Sequence, residues 1–595
     1  MSGPAYRGLE EEGTATWAAS MRLMRYMLPQ RRLLTLTILV FAVVGVAAIG
    51  PLWAIGHLID DGVRAKDVGV VERWIAIFVA IVLLRGVLEY LKIWLSSLLG
   101  ERVILDVRTR VFAHIHRLPL RFFDNTPVGT LVTRVTSDVE ALAQMFSSGV
   151  AAICNDMVML LVLTGYLFWV NAQLALVALL ALPVVVVFSL WFGQRMRTAF
   201  RDVRGRVSAL NGFQQEAFTG VSTTRLFRRE AYQQEQLDER NTGLREAHFG
   251  TIFNFAIFWP CVQTFSSFAQ AGIVLLAGRE LTNATLSIGE LSVFWVGLQR
   301  FFDPIHDLSD RFNVLQAAIA AAERIFGVLD EEPEQPDAPD AQTPARLRGA
   351  VSFEDVHFSY LPDEPVLRGV SFQVKPGETV AIVGPTGAGK TSIISLLARL
   401  WDVDSGRVCV DGIDVRQHRR RQMRARMAVV LQDVFLFAGT VADNIRMGDE
   451  SMSDDHVRQA CETVNADGFI QKMPGGYNAE IRERGSNLSV GQKQLLAFAR
   501  ALAADPDILV LDEATSSIDT NTEVLIQDAL KKLLENRTAI AIAHRLSTVR
   551  GADRILVMHH GRLVEQGTHR ELLAQGGLYS RLNQLSQATT SGETL

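Results

Sequence analysis

The sequence predicts a two-part fold: an α-helical membrane domain of six transmembrane helices with long cytoplasmic extensions, fused to an α/β domain. Hydrophobic residues make up 49% of the 595 residues and charged residues only 21%, with a mean hydropathy of +0.18. This balance disfavours a disordered chain and an ordinary soluble enzyme. The apolar density is high up to Leu329 and falls after it, and beyond Gly349 short apolar runs alternate with helical patterns. Such alternation indicates an α/β domain.

Charge and cysteine usage exclude several classes of protein. The formal net charge of -5 leaves no global basic field of the kind that attracts nucleic acid. The N-terminus is polar rather than a secretory signal, so we expect the first apolar run to remain as an anchor. The four cysteines show no metal-ligand spacing and no disulfide framework, and we expect them to be buried apolar residues: Cys154, Cys261, Cys409 and Cys461.

The membrane domain is predicted from six apolar stretches. At 1.5 Å per residue, each is long enough to cross a hydrocarbon core of about 30 Å. The third and fourth stretches are separated only by a short turn around Asn171. The predicted spans are Leu33 to Leu58, Trp74 to Leu99, Val150 to Val170, Leu174 to Phe192, Phe253 to Ala277 and Leu291 to Leu308.

Arginine distribution predicts the orientation of these spans. The segments Gly100 to Ser147 and Gly193 to Gly250 carry many arginines, whereas the connection at Asn171 carries no charge. Both long segments and both termini are therefore predicted to be cytoplasmic. Because both segments keep a helical mix of apolar and charged residues, the helices should continue beyond the lipid. The stretch TWAASMRLMRYMLPQRR before the first span fits either an amphipathic helix on the inner surface or a plain extension of that span.

An acidic, proline-rich segment from Asp330 to Gly349 separates the two parts and is typical of a linker. The predicted domains are residues 1–329, with long cytoplasmic segments, a linker at 330–348, and residues 349–595. In the second domain ETVAIVG, RMAVVLQ, DILVLDEAT and TAIAIAH are short and apolar. They predict buried strands of a largely parallel sheet.

One loop of the second domain matches G-x-x-x-x-G-K-[ST] between a predicted strand and a predicted helix, as that motif requires. Its glycines let backbone N–H groups surround phosphate oxygens at a helix N-terminus, Lys390 adds a charge toward the β and γ phosphates, and Thr391 offers a hydroxyl to Mg²⁺. The fold is therefore that of a P-loop nucleotide-binding domain. The predicted nucleotide-binding residues here are Gly384, Pro385, Thr386, Gly387, Ala388, Gly389, Lys390, Thr391 and Ser392.

Two carboxylates follow a second predicted strand, Ile508 to Leu511. They emerge at the carboxyl edge of the sheet, where ligands bind in such folds. Asp512 suits the metal ion, and Glu513 suits orientation or deprotonation of the attacking water.

The stretch Leu488, Ser489, Val490, Gly491 and Gln492 resembles the LSGGQ signature of ATP-binding cassette (ABC) proteins. Over nearly its whole length the chain is similar to an ABC half-transporter of the exporter type. That resemblance implies that Tyr360 stacks on adenine and that Gln432 links the γ-phosphate and Mg²⁺ to the membrane domain. It also implies that His544 contacts the γ-phosphate and that Asp519 belongs to the D-loop. Taken singly, Tyr360 also fits a strand cap, Gln432 a surface residue and His544 a core histidine.

The resemblance further implies a dimer, because the signature of one chain completes the ATP site of the other. Val490 stands where the family usually has glycine, and its β-branched side chain restricts the backbone and crowds the phosphate approach. The stretch LSVGQKQLLAFARAL also resembles one branch of heterodimeric multidrug-type exporters, which have one catalytic and one degenerate site. This resemblance favours a heterodimer in which the chain supplies an intact Glu513 and His544 while its signature closes a degenerate partner site. A homodimer that tolerates Val490 stays open.

Charged and aromatic residues of the spans bear on the cargo. Arg85, Glu89 and Lys92 share one helical face. Because a charge in the middle of the membrane costs at least about 2.5 kcal/mol, these side chains should face protein or water. They would then either form ion pairs along the helix or contact the substrate. Asp156 is a similar candidate, and the aromatics of the last two spans, Trp295 among them, suit either packing or a hydrophobic cargo.

These features together predict ATP-driven export of a drug-like or lipid-like substrate across a bacterial inner membrane, with ATP and Mg²⁺ as cofactors. A homodimeric flippase, an importer with the exporter fold and an ATP-gated regulatory protein remain alternatives.

Overall fold

The computed structural model describes residues 22, 30–145, 151–282, 286–513, 520–543 and 549–591. The chain divides into two units. The first contains Met1–Leu118 and Thr126–Pro333, and the second contains Pro119–Asn125 and Glu334–Leu595.

The first span is broken rather than continuous. Helix α1 (Arg31–Ala47) and helix α2 (Gly50–His57) are separated by a turn, and α2 passes into a π-helical segment, Leu58–Val63. Pro51 lies in the first turn of α2, where its missing N–H is tolerated but prevents a continuous helix through that point. The next helix, α3, covers Val68–Ile115.

The remaining helices of the membrane part follow in chain order. A π-helical segment, Arg134–Asp138, joins two of the short ones. The side chain of Asn171 caps the fourth long helix by accepting from the backbone N–H of Gln173 at 3.0 Å and of Leu174 at 3.1 Å, which explains the short turn. The helices are α4 (Leu120–Asn125, in the second unit), α5 (Val128–Thr133), α6 (Val139–Gln144), α7 (Ala151–Val170), α8 (Ala172–Thr219), α9 (Val221–Leu226), α10 (Glu230–Thr282) and α11 (Ile288–Leu329).

Five of the six predicted spans lie within single helices, apart from Val150, which lies outside the described residues. The first span crosses the turn at Ala48 and Ile49 and ends in the π-helical segment. Among the described residues, four segments are long and apolar enough to cross a membrane, and Asn155–Val170 is a shorter apolar helix. Helices α3, α8 and α10 have 48, 48 and 53 residues, where about 20 suffice. The predicted extension of the helices beyond the lipid is therefore confirmed.

Of the stretch before the first span, only Arg22 and residues from Gln30 onward are described. The four segments that are long and apolar enough to cross a membrane are Arg31–Val63, Val68–Ile115, Ala172–Thr219 and Glu230–Leu281.

Close polar contacts tie the first span to the sixth. The Ser287 hydroxyl donates to Asp60 Oδ2 at 2.5 Å, and the backbone N–H of Gly289 donates to Asp60 Oδ1 at 3.0 Å. A Cβ at Gly289 would lie 2.3 Å from both Asp60 Oδ2 and the carbonyl oxygen of Gly56. Only glycine permits this approach between the helices.

A buried carboxylate links the segment after α5 to the end of α11. Asp138 is 9% exposed, and it accepts from Arg324 at 2.5 Å and from Arg134 at 2.9 Å. Burial would raise the pKa of Asp138, but hydrogen bonds and charges from Arg324 and Arg134 outweigh it and hold the pKa below its usual range. This ion pair therefore stabilises the fold above the ordinary carboxyl pKa, near pH 4, and the contribution is lost as pH falls through the depressed value.

Replacing Asp138 with asparagine should destabilise the first unit by about 2 kcal/mol, because two arginines then lose their shared carboxylate. A thermal melt of the full-length protein at neutral pH measures this effect. Asp202→Asn is the matched control, since it breaks an exposed ion pair with Arg206 that contributes little. Equal melting temperatures for the two variants would contradict the role given to Asp138.

The second unit contains strands β1 to β12. In chain order they are β1 (Val351–Ser359), β2 (Pro365–Val374), β3 (Thr379–Val383), β4 (Ser405–Val410), β5 (Ile413–Asp414), β6 (Met427–Val430), β7 (Gly439–Thr440), β8 (Glu480–Ile481), β9 (Ile508–Glu513), β10 (Thr538–Ala543), β11 (Arg554–His559) and β12 (Arg562–Gly567).

Its helices pack around these strands. They are α12 (Lys390–Leu397), α13 (Arg420–Arg424), α14 (Val441–Arg446), α15 (Asp454–Thr463), α16 (Asp467–Ile470), α17 (Val490–Ala503), α18 (Thr520–Leu534), α19 (His569–Gln575) and α20 (Leu578–Ser591).

The central sheet has the strand order β12-β11-β3-β10-β9-β6. The neighbours from β11 to β6 are parallel, and only β12 is antiparallel. The four apolar runs that predict buried parallel strands form β3, β6, β9 and β10, so this prediction is confirmed. Ile382, Val510 and Ile540 are fully buried, as expected for a sheet covered on both faces. A second sheet, β2-β1-β4-β5, is antiparallel.

Candidate functional site

The P-loop joins β3 to α12, and its glycines are required by the backbone. Gly389 precedes α12 with φ 93°, a left-handed conformation that favours glycine. A Cβ there would lie 2.6 Å from Leu367 Cδ2, and a Cβ at Gly384 would lie 2.3 Å from the carbonyl oxygen of Met558. The loop can therefore pass close to its neighbours only with glycine at both positions.

Lys390, the first residue of α12, lies inside this loop. Its side chain is buried, and Nζ donates to the carbonyl oxygens of Gly384 at 2.8 Å and Pro385 at 3.0 Å. Burial lowers the pKa of Lys390, while the charge of Asp512 acts in the opposite direction. A fixed ammonium thus stands at the positive end of a helix, an arrangement that binds phosphate. Residues 385–387, the tip of the loop, are exposed.

Parallel pairing brings several other predicted residues to the same edge of the sheet. Strands β3, β10, β9 and β6 are neighbours, so their carboxyl ends meet at one edge. Asp512, near the end of β9, is 9% exposed, and Gln432, two residues after β6, is exposed. The backbone of Glu513 ends β9, but its side chain, Asp519 and His544 lie outside what the structure describes.

Tyr360 lies beside the P-loop helix. Its hydroxyl is 3.1 Å from Ser392 Oγ, and its ring packs edge-on against Trp401 with centroids 5.0 Å apart. Trp401 had no motif to mark it, because it reaches this place only through the fold. Thr391, between Lys390 and Ser392, is exposed.

The signature residues begin α17. Ser489 caps the helix: its Oγ accepts from the N–H of Gln492 at 3.3 Å, and Gln492 Oε1 accepts from the N–H of Ser489 at 3.0 Å. Val490 is the first helical residue and is 52% exposed, whereas Gly491 is buried and Leu488 is half-buried. A β-branched residue fits this helical backbone, so an effect of Val490 on phosphate would come from its exposed side chain.

The candidate cargo residues lie on three helices. Arg85 is half-buried on α3, and Lys92 and Glu89 of the same helix form an ion pair, in line with the structural alternative for that face. Asp156 on α7 accepts from Asn155 Nδ2 at 3.2 Å. Trp295 on α11 is 43% exposed.

Sequence reasoning missed a further cation in the membrane part. Arg300 on α11 is half-buried, and its Nη1 donates to the carbonyl oxygen of Ala48 at 2.9 Å. That carbonyl lies at the break between α1 and α2. The signal in the sequence was an arginine within a predicted span, which is costly there and therefore functional or structural by default.

Comparison with known proteins agrees with this architecture. Residues 33–305 match the model of the ABC transporter transmembrane region, and residues 367–516 match the model of the ABC transporter domain. An uncharacterized ABC transporter ATP-binding protein of Bacillus subtilis is 37% identical over 96% of this chain and 95% of its own length.

Two relatives have names that state a cargo. A fatty acid ABC transporter ATP-binding/permease protein of Mycobacterium bovis is 36% identical over 87% of this chain and 82% of its own length. An ATP-dependent lipid A-core flippase of Desulfotalea psychrophila is 35% identical, over 94% and 98%. Among solved structures, a bacterial Atm1-family ABC exporter with ATP bound is similar with a TM-score of 0.75 and 27% identity, over 93% of this chain and 97% of that one.

The chain therefore belongs to the ABC transporter family, as a half-transporter of the exporter type. It is a multi-pass membrane protein with an ATP-binding domain, and it is an ATPase coupled to transport.

Proposed function

We propose that the protein exports a lipid-like or amphipathic molecule across the bacterial inner membrane, as one half of a dimer that alternates between inward and outward access. The observation that carries this proposal is the buried Lys390 within a P-loop, with Asp512 at the same sheet edge, in a chain whose other unit consists of long apolar helices. The arginine distribution supports a cytoplasmic location for both termini and the second unit.

In the proposed site, ATP phosphates bind the backbone N–H groups of residues 384–391 and the ammonium of Lys390. Tyr360 stacks on adenine, and its bond to Ser392 holds it beside the loop. The available oxygen donors fit Mg²⁺, which prefers hard oxygen ligands: the Thr391 hydroxyl, the Asp512 carboxylate and the Gln432 amide. The ion would neutralise charge that develops on the phosphates. Glu513 orients or deprotonates the attacking water, and His544 contacts the γ-phosphate.

Closure of the dimer supplies the other half of each site. The capped N-terminus of α17 at Ser489 would approach the γ-phosphate of ATP bound to the partner chain, with Asp519 in the adjoining D-loop. ATP then adds favourable contacts only in the closed state, so it shifts the dimer toward closure. Hydrolysis removes the γ-phosphate and with it the link between the subunits.

For the cargo we infer an acyl chain or another large apolar body. The relatives named for fatty acid and for lipid A support this class, and exposed aromatics such as Trp295 suit it. Arg85 and Asp156 are the proposed polar contacts. ATPase activity of the reconstituted complex should rise with long-chain fatty acids or lipid A-type lipids and not with small polar solutes. Stimulation by polar solutes alone would contradict this cargo class.

We further propose a heterodimer in which this chain contributes the catalytic Glu513 and His544, and its signature with Val490 closes the partner's weaker site. Its subunit composition tests this: a tagged chain purified from its native host should bring a second half-transporter at a one-to-one ratio. A single species at twice 65.8 kDa would instead establish the homodimer.

Val490→Gly tests the same idea in the signature. In the proposed heterodimer this change should alter total ATPase activity by less than about twofold, because most turnover occurs at the other site. In a homodimer the change acts at both sites: it should raise activity several-fold if Val490 crowds the phosphate approach, and should leave activity unchanged if Val490 is tolerated. Ser489→Ala, which removes the helix cap of the same signature, separates the two assemblies: it should lower total ATPase activity strongly in a homodimer and by less than about twofold in the heterodimer.

A further inference from the structure

The segment of the second unit that precedes β1 is packed along the rest of that unit. We call residues 334–349 the linker strap. The N–H of Gln342 donates to the carbonyl of Gln417 at 2.8 Å, and the carbonyl of Gln342 accepts from the N–H of Arg419 at 2.9 Å. Arg346 pairs with Asp505 at 2.6 Å and Asp507 at 2.9 Å. The strap is therefore fixed to the second unit at several points.

The first part of the strap places two carboxylates on a cluster of arginines. Asp337 Oδ2 accepts from the N–H of Arg420 at 3.2 Å, and its Oδ1 lies 3.5 Å from Arg399 Nη1. Glu334 lies 3.4 Å from Arg420 and 3.7 Å from Arg424. Because Arg399 and Arg420 are only 8% and 11% exposed, these pairs are less screened than ordinary surface pairs.

One of these arginines, Arg424, binds the end of the P-loop helix. Helix α12 ends at Leu397, and the next two carbonyls accept from Arg424: Ala398 from Nε at 3.0 Å and Arg399 from Nη2 at 2.6 Å. Carbonyls at a helix C-terminus lack intrahelical donors, and a cation there is favourable. The other end of this 8-residue helix, about 12 Å away, is the phosphate loop with Lys390.

The strap carboxylates offset repulsion within the cluster. Burial and the nearby charges of Arg420 and Arg399 lower the pKa of Arg424, and Glu334 and Asp337 act in the opposite direction. Without these carboxylates, Arg399 would keep its pair with Asp402 at 3.3 Å, but Arg420 and Arg424 would lose the acidic partners given above and tend to separate. Arg424 would then hold the helix end less firmly.

We propose that Glu334 and Asp337 are positioning residues for ATP binding, because they fix an arginine cluster (Arg399, Arg420 and Arg424) in which Arg424 binds the C-terminal end of the P-loop helix. The proposal rests on the ATP site proposed at residues 384–391.

The test compares strap variants of the full-length complex in lipid nanodiscs. In the double variant Glu334→Gln, Asp337→Asn, the KM for ATP should rise about three- to tenfold while kcat changes less than about twofold. The single variant Asp337→Glu keeps the charge and leaves Glu334 unchanged, so its KM for ATP should be near normal. Asp340→Asn is the matched control, since it removes an exposed carboxylate of the same strap and should leave KM unchanged.

A normal KM in a double variant that melts at the wild-type temperature would overturn the proposal, as would an equal rise in Asp340→Asn. If the double variant does not fold, the comparison of Asp337→Asn with Asp337→Glu decides by the same KM criterion. Lys390→Met separates a failure of the proposed ATP site from a failure of the strap proposal. If this variant binds ATP normally, the proposed ATP site is wrong. If it abolishes binding while the strap variants bind normally, only the role of the strap is refuted.

Discussion

Replacing Lys390 with methionine is expected to abolish ATP binding and to lower ATP hydrolysis by at least about 100-fold. Methionine keeps the apolar stem that packs in the loop but removes the ammonium that now donates to Gly384 and Pro385. The phosphates would then lose their one fixed positive charge within the loop, while the fold of the unit should survive.

Binding of a fluorescent ATP analogue and steady-state hydrolysis measure this effect separately. Lys531→Met, which changes an exposed lysine of α18, is the matched control and should bind ATP normally. If Lys390→Met bound and hydrolysed ATP like the wild type, nucleotide recognition would not take place at this P-loop.

Glu513→Gln is expected to reduce hydrolysis by about 100-fold or more and to leave ATP bound. The amide has nearly the same shape as the carboxylate, but it cannot accept the proton of the attacking water. ATP would therefore accumulate in the closed dimer. In the proposed heterodimer this single substitution should stop most of the turnover of the complex.

Single-turnover hydrolysis, together with retention of labelled ATP after gel filtration, checks this expectation. Asp512→Asn should differ from Glu513→Gln by also weakening Mg²⁺-dependent binding, whereas Glu535→Gln, an exposed change, should behave as wild type. Near-normal turnover in Glu513→Gln would place the base elsewhere or on the partner chain.

Local patterns were sufficient to predict much of the fold. Four short apolar runs predicted β3, β6, β9 and β10 because strands buried on both faces need continuous apolar residues. The glycine spacing of the P-loop predicted a strand, a tight loop and a helix, since phosphate binding demands that order. Apolar length predicted the helices of the membrane part, because a span must cover a fixed thickness.

Contacts between distant segments were not predictable in this way. Nothing in the local sequence marks Trp401 as the neighbour of Tyr360, or Arg300 as the residue that reaches Ala48 at the break in the first span. The acidic, proline-rich composition of the strap is typical of a linker, yet Asp337 meets arginines more than 60 residues away in the chain. Such pairs depend on the tertiary fold, which composition does not specify.

Val490 shows that the candidate site, too, could be predicted only in part from the sequence. Its departure from glycine was visible in the sequence, and the expected restriction of the backbone followed from its branched side chain. The structure places it as the first residue of a capped helix with an exposed side chain, where a branched residue is compatible with the backbone. Its consequence for catalysis therefore depends on the partner that meets this face.

The most direct test of the account is ATP-driven translocation of a labelled long-chain acyl lipid in proteoliposomes that contain the purified complex. The account predicts movement away from the leaflet on the ATP side, which requires hydrolysis and is lost in Lys390→Met and Glu513→Gln. Movement in the opposite direction would identify an importer. ATP hydrolysis at a normal rate with no movement of any lipid or amphipathic probe would contradict export as the function.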